Sequence, residues 1–132
     1  MRPIEVLFVE DNSGDTLLVY EALEESPIPH KFHLARDGEQ ALLMLRDRTF
    51  DPDLILLDLS LPKLSGFDVL EQCRPTGVPV VVFSGSLNEA DRRRVLELGA
   101  CEFIQKPAGF NAYKETVRHV FHKWGRRKQD DT

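Results

Sequence analysis

Cysteine is scarce in this chain: two in 132 residues, with no CxxC pair and no Cys/His ligand spacing. That excludes a disulfide framework and a thiolate metal site, and Cys73 and Cys101 carry no chemistry in this reading. Long apolar runs are missing too. No stretch approaches the ~20 apolar residues of a membrane helix, so no membrane partner is expected and the expected compartment is the cytoplasm. Positive charge is short as well, since 17 Lys and Arg against 22 Asp and Glu give a net charge of -5. Without a basic surface or a helix-turn-helix pattern, nucleic acid is not an expected partner. Glycine is absent where a dinucleotide or P-loop site would need it. Glu10-Asp11-Asn12-Ser13 follows the first apolar run in place of a glycine-rich turn, and two carboxylates there would repel a pyrophosphate or the phosphate of FMN.

What is present is ordinary globular composition, 42% apolar and 30% charged, in a length that suits one domain with a core of its own. Residues 1–124 read as that domain and 125–132 as a polar tail expected to fray. Strand-length apolar runs at 4–9, 32–35, 54–57, 80–83 and 102–105 alternate with amphipathic stretches at 15–25, 39–45, 66–72, 89–98 and 111–124. Alternation of this kind means successive βα units, here five strands and five helices. Leu54-Ile55-Leu56-Leu57 and Val80-Val81-Val82-Phe83 are apolar at every position, as strands are when helices cover both faces of a sheet. The expected fold is α/β, a doubly wound five-stranded parallel sheet. Two strand orders are common for such sheets, and five strands suit the flavodoxin-like order 2-1-3-4-5.

Functional groups collect beyond the carboxyl ends of strands in an open parallel sheet. Glu10 and Asp11, Asp58, Ser84 and Lys106 each stand at or just past the end of an apolar run. Three carboxylates brought together are costly unless a cation neutralises them. Magnesium suits such a cluster, because it takes oxygen ligands, keeps several waters and uses one or two carboxylates plus a phosphoryl oxygen. Asp58 could then act as a nucleophile toward phosphorus, while Lys106 balances charge and the Ser84 hydroxyl donates to the phosphoryl group. An isolated Asp or Lys-Pro after a strand is more often a turn or cap. It is the joint placement of four such positions in one βα array that points to a single phosphate-handling pocket.

The motifs Val9-Glu10-Asp11-Asn12, Leu56-Leu57-Asp58-Leu59-Ser60-Leu61-Pro62 with Ser65-Gly66, Phe83-Ser84-Gly85, and Leu98-Gly99-Ala100 leading to Gln105-Lys106-Pro107 occur in one order. With them the chain resembles response-regulator receiver domains over residues 4–124. The resemblance implies that Asp58 is the phosphoacceptor, that Glu10 and Asp11 are the acidic pair, and that Asp11, Asp58 and the backbone carbonyl of Ser60 ligate Mg2+. It further implies that Ser84 and Lys106 contact the phosphoryl oxygens, that the Lys106-Pro107 bond is cis, and that Phe103 is the aromatic switch residue. The implied partner is a sensor histidine kinase. The opening 9–15 and the stretch 37–42 look most like single-domain regulators that partner phytochrome-type kinases.

Ser84 stands where such domains often carry threonine, Gly85 where alanine is frequent, and Ser60 where a larger polar residue is common. Access of water past Ser60 and Gly85 is therefore expected to set the aspartyl-phosphate lifetime. No effector segment follows in the sequence, so the expected outputs are binding to another molecule, dimerisation, or service as a phosphate relay or sink. Tyr113, Val117, Val120, Phe121 and Trp124 recur at helical spacing, mostly as core. Trp124, at the end of that stripe, is expected to be exposed and to contribute to a homodimer through the fourth helix, fifth strand and fifth helix. Arg92-Arg93-Arg94 and Arg126-Arg127-Lys128 read as solvated charge, and His30, His33, His119 and His122 as surface residues. A haloacid-dehalogenase phosphatase would need an acid where Ser60 stands. The remaining alternative is a binding module of the same fold that works without phosphorylation.

Overall fold

The computed structural model describes residues 2–61, 64–85 and 88–125. Strands β1 (Ile4–Val9), β2 (His30–Ala35), β3 (Leu54–Asp58), β4 (Val80–Ser84) and β5 (Glu102–Gln105) alternate with helices α1 (Ser13–Glu24), α2 (Gly38–Arg46), α3 (Gly66–Cys73), α4 (Glu89–Glu97) and α5 (Phe110–Trp124). The strands form one parallel sheet in the order β2-β1-β3-β4-β5. This is the flavodoxin-like order expected from the sequence.

Alternation along each strand divides the core into two layers. Ile4, Val6, Phe8, Leu54, Leu56, Val81 and Phe83 pack against α1 and α5, where Val19, Leu23, Val117 and Phe121 meet them. Leu7, Val9, Ile55, Leu57, Val80 and Val82 pack against the other three helices through Ala41, Val69, Leu70 and Val95. Every residue of β3 and β4 is buried, whereas β2, at one edge, is mostly half-buried. That edge position explains why the apolar pattern begins only at Phe32, although pairing with β1 starts at His30.

Helix starts follow from local side chains. Asn12, Asp37, Ser65 and Asn88 accept hydrogen bonds from the backbone N–H three residues on, which satisfies an otherwise unpaired donor of the first turn. The Leu98-Gly99-Ala100 motif closes α4: Ala100 N–H donates to the Val95 carbonyl and Gly99 N–H to that of Leu96, with Gly99 at φ +108°. A side chain at that φ would be strained, so glycine ends the helix there.

Two expectations are corrected. The Lys106-Pro107 bond is trans, for no peptide bond among the described residues is cis. An X-Pro amide favours trans by about 0.5–1 kcal/mol when the fold does not override it. Trp124 is half-buried, and its indole N–H donates to Glu102 Oε1 at 2.7 Å, so the end of the stripe is tied down instead of presented to a partner. Gly125 is buried with its N–H on the Phe121 carbonyl, and an added Cβ would meet that carbonyl at 2.7 Å. Gly125 is thus the C-cap of α5, which ends at Trp124. Residues 126–132, including Arg126-Arg127-Lys128, and Pro62 lie outside the described residues. Tyr113, Val117, Val120 and Phe121 are core, as expected. Of the arginines on α4, Arg94 stacks over the Phe67 ring at 4.1 Å and Arg92 reaches Glu89 at 3.7 Å.

Candidate functional site

Parallel pairing brings the carboxyl ends of the three central strands together. Val9 pairs with Leu57, and Asp58 with Phe83, so the residues that follow β1, the last residue of β3 and the last residue of β4 share one edge. Lys106, just beyond β5, is fixed there by its backbone N–H, which donates to the Ser84 carbonyl at 2.7 Å. Glu10, Asp58 and Ser84 are buried, Asp11 is exposed, and Lys106 is half-buried.

One carboxylate oxygen each from Glu10, Asp11 and Asp58 lies within 4.8 Å of the others. The Lys106 ammonium donates to Glu10 Oε1 at 2.8 Å and to Asp15 Oδ2 at 3.1 Å, and stands 3.9 Å from Asp58 Oδ2. The last distance is beyond hydrogen-bond range. Asp58 Oδ1 accepts from the Ser60 N–H at 3.2 Å, and Glu10 Oε2 accepts weakly from the Asn12 N–H at 3.4 Å. A small depression lined by Glu10, Asp11, Ser13, Thr16, Leu34 and Arg36 adjoins the acids.

The charge balance is unfavourable to full ionisation. Burial first, then the adjoining Asp58 carboxyl, push Glu10 up to about 8, against the opposing pull of Lys106. Burial alone would lower the Lys106 ammonium, but its hydrogen bond to Glu10 and the charges of Glu10 and Asp58 outweigh this and hold it above its ordinary value. The two directions agree physically. Several carboxylates face one ammonium, so the lysine is held in its charged form while the buried Glu10 is pushed toward keeping its proton. Such a cluster is short of positive charge and offers only hard oxygen donors, which fits a small divalent cation that uses one or two carboxylates and keeps its waters.

Ser65-Gly66 also belongs to the site. A Cβ on Gly66 would meet the Leu59 Cα at 2.6 Å and the Asp58 carbonyl oxygen at 2.8 Å, so α3 can approach the chain beside Asp58 only with glycine there. Ser60 and Gly85 are exposed at the rim, and a Cβ on Gly85 would meet nothing within 4 Å. Phe103, on β5, is half-buried against the layer of α2, α3 and α4.

A family model for the response regulator receiver domain matches residues 6–118, nearly the whole chain. The chain belongs to the response regulator receiver domain family. Among curated relatives, this receiver is 34% identical over 131 residues to a probable methanogenesis regulatory protein, FilR2, of Methanothrix harundinacea, with 92% of this chain and 84% of that protein covered. It is also 34% identical over 130 residues to the transcriptional regulatory protein CpxR of Escherichia coli strain K12, covering 96% of the chain but about half (54%) of that longer protein. Among solved structures, the receiver is similar to a phosphorylated cyanobacterial phytochrome response regulator, RcpA, with a TM-score of 0.88 at 36% identity over 93% of this chain and 94% of that one. It is similar to the Mn(2+)-bound form of response regulator Rcp1, with a TM-score of 0.86 at 33% identity over 95% and 96%. Receiver domains are two-component phosphoacceptors that bind Mg2+ at an acidic pocket and partner with histidine kinases.

Five of the residues singled out in the sequence, Glu10, Asp11, Asp58, Ser84 and Lys106, meet at this edge. His30 and His33 lie elsewhere: His30 bonds the Ile28 carbonyl and stands 3.5 Å from Glu24, and His33 bonds Glu5 and meets the Phe50 ring edge-on. Two neighbours of the site escaped the sequence reading. Asp15 touches Lys106; it lies in the first turn of α1, where an acid is an ordinary helix-start residue, and nothing local in the sequence points to the lysine. The hydroxyl of Tyr113 lies buried under the same charges; a tyrosine inside an apolar stripe gives no sequence signal of that.

Proposed function

We propose that this receiver accepts a phosphoryl group from a histidine kinase onto Asp58. The observation that carries the proposal is the placement of Asp58, buried at the end of the central strand, with two further carboxylates within 4.8 Å and the Lys106 ammonium 3.9 Å from Oδ2. An Asp58 oxygen attacks phosphorus in line with the departing imidazole nitrogen of a phosphohistidine. The P–N bond breaks as the O–P bond forms, and the imidazole takes up a proton from water. Negative charge spreads over the equatorial oxygens of the transferring group. Lys106 moves toward those oxygens, Ser84 donates its hydroxyl, and the Ser60 N–H keeps the Asp58 carboxylate oriented. Glu10, Asp11, Asp58 and the Ser60 carbonyl would hold Mg2+, which supplies charge neutralisation for the incoming phosphoryl oxygens. Positioning by the receiver's own groups makes both phosphotransfer and later hydrolysis self-assisted reactions of the domain.

A phytochrome-type kinase is the proposed donor, supported by the likeness to RcpA and Rcp1, and a cytoplasmic setting accords with it. Phe103 is the proposed switch, since it is half-buried on β5, the strand paired with the one that ends in Ser84. The α4-β5-α5 face is the proposed homodimer surface, carried by the exposed Leu96 and Phe110 in place of Trp124. A rise in mass with concentration in the phosphorylated protein supports that surface, and a constant monomer mass removes it. The main reading is tested by intact mass after incubation with magnesium and acetyl phosphate. Gain of one labile phosphoryl group that Asp58→Asn loses supports it; no gain, with the protein folded and binding magnesium, favours a module that works without phosphorylation.

A further inference from the structure

Lys106 must reach the phosphoryl group if Asp58 is the acceptor, yet in this structure it is held elsewhere. Its shortest contacts run to Glu10 at 2.8 Å and to Asp15 at 3.1 Å, both closer than Asp58. Glu10 belongs to the acidic cluster itself. Asp15 does not: it sits in the first turn of α1, outside the group of three carboxylates. Its side chain is 20% exposed, so it is a partly desolvated carboxylate whose nearest counter-charge among the described residues is the lysine.

Beneath it lies Tyr113 of α5. The ring stacks on Phe83 with centroids 6.2 Å apart and planes 17° from parallel, a role that phenylalanine would fill equally well. The hydroxyl is what phenylalanine would lack, and here it is buried without a hydrogen-bond partner among the described residues. A buried, unmade hydroxyl bond is rare and calls for an explanation. Burial, then the charge of Asp15 and the approach of the phenol to its carboxyl, and then the charges of Glu10 and Asp58, raise this phenol well above its ordinary value, so it remains a donor throughout the physiological range. A donor that falls short of a full hydrogen bond thus adjoins an acceptor, Asp15, already engaged by Lys106.

We infer that Asp15 is a positioning residue that parks Lys106 away from Asp58, and that the Tyr113 hydroxyl takes over Asp15 when the lysine swings to the phosphoryl oxygens. This inference rests on the proposed phosphoacceptor role of Asp58. It describes a two-state exchange of hydrogen bonds. In the parked state Asp15 binds the ammonium and the phenol is unpaired. In the engaged state the ammonium binds phosphoryl oxygen and the phenol donates to Asp15, so Asp15 is never left buried and alone. Loss of Asp15 should favour the engaged state, and loss of the Tyr113 hydroxyl should disfavour it.

The probe is beryllofluoride with magnesium, titrated by 19F NMR, together with the 15Nζ resonance of Lys106 in the metal-free protein. Asp15→Asn should bind beryllofluoride roughly threefold to tenfold tighter, and Tyr113→Phe should bind it more weakly by a similar factor. The Lys106 15Nζ resonance should move in Asp15→Asn and return in Asp15→Glu. Removing a negative charge could favour any anion without involving the lysine, so the same change is made in Lys106→Ala. There the effect of Asp15→Asn should vanish; if it persists, the parking role is overturned. Unchanged or weaker binding by Asp15→Asn also overturns it, and unchanged binding by Tyr113→Phe overturns the part given to the tyrosine. Wild-type protein that neither binds beryllofluoride nor gains a phosphoryl group from acetyl phosphate would instead refute the phosphoacceptor reading itself.

Discussion

Asp53 and Glu10 are both almost wholly buried acids at opposite ends of the same sheet, and they are held in opposite ways. Asp53, before β3, accepts from the Glu5 backbone N–H at 2.9 Å and from Arg2 Nη2 at 2.9 Å, while its own N–H donates to the Glu5 carbonyl at 2.8 Å. Glu10, after β1, has one firm donor in Lys106 but adjoins other acids, and burial with Asp58 pushes it up to about 8. Equal burial therefore says little about role. An acid whose acceptors are matched by donors knits β1 to β3, whereas an acid crowded with its own kind stores unfavourable energy that a cation and a phosphoryl group can relieve.

The largest effects separate the two ends by kind. Asp58→Asn should abolish phosphoryl gain from acetyl phosphate while leaving the melting temperature unchanged or raised in the absence of magnesium, because one of several crowded acids becomes neutral. Asp53→Ala should do the reverse. It strands the Glu5 N–H and the Arg2 pairing at a buried position, for a loss of about 3 kcal/mol, seen by urea denaturation, with the phosphorylation rate of the folded fraction little changed. A stable Asp53→Ala protein would break the comparison. Gly66→Ala should combine the two signatures, since a Cβ would drive into Leu59 and the Asp58 carbonyl. A loss of about 2 kcal/mol from overpacking should accompany slower phosphoryl gain.

The pH dependence sharpens the contrast. A folded-state value of about 8 for Glu10, above the ordinary 4.5, means that the native state holds a proton the unfolded chain has released. Its contribution to stability is fully present below about 4.5 and is lost as pH rises through about 8. Metal-free protein should therefore lose stability across that window in denaturant titrations. The loss should flatten in Glu10→Gln and on addition of magnesium, which neutralises the cluster. Glu25 and Glu102 act in a separate window: contacts with Lys114 for the first, and with Trp124 and Lys123 against burial for the second, hold them below the ordinary carboxylate value. What they contribute is present above about 4.5 and is lost as pH falls below it. A metal-free profile that rises steadily from pH 5 to pH 8 would count against the account of Glu10.

The end of the sheet that carries chemistry was the more legible one in the sequence. Five polar residues placed beyond apolar runs identify it, because strand ends in a parallel sheet converge whatever the details of packing. Asp53 stands just after Asp51-Pro52 and just before β3, a place where an aspartate is ordinarily a turn residue. Its structural role depends on Arg2 and Glu5, about fifty positions away, and no local pattern carries that information. Trp124 was misjudged for a related reason: helical spacing placed it correctly on the apolar stripe, but its partner, Glu102, lies on β5. The trans bond before Pro107 was likewise beyond a local motif, which specifies the residues and leaves the isomer to the surrounding fold.

The smallest effect concerns the rim, where neither kind of buried acid is involved. Ser60 and Gly85 are exposed, and nothing lies within 4 Å of where a Gly85 side chain would begin. Gly85→Val and Ser60→Arg should each change stability by less than about 0.5 kcal/mol, as surface substitutions do. Both add bulk beside the path that water takes to an Asp58 phosphoryl group, and excluding water slows hydrolysis of a reactive intermediate. The half-life of the phosphorylated protein, followed by intact mass after removal of acetyl phosphate, should therefore lengthen roughly two- to fivefold in each variant. Unchanged half-lives in both would mean that the lifetime is set deeper in the site, by the position of Lys106, and not by access at its rim.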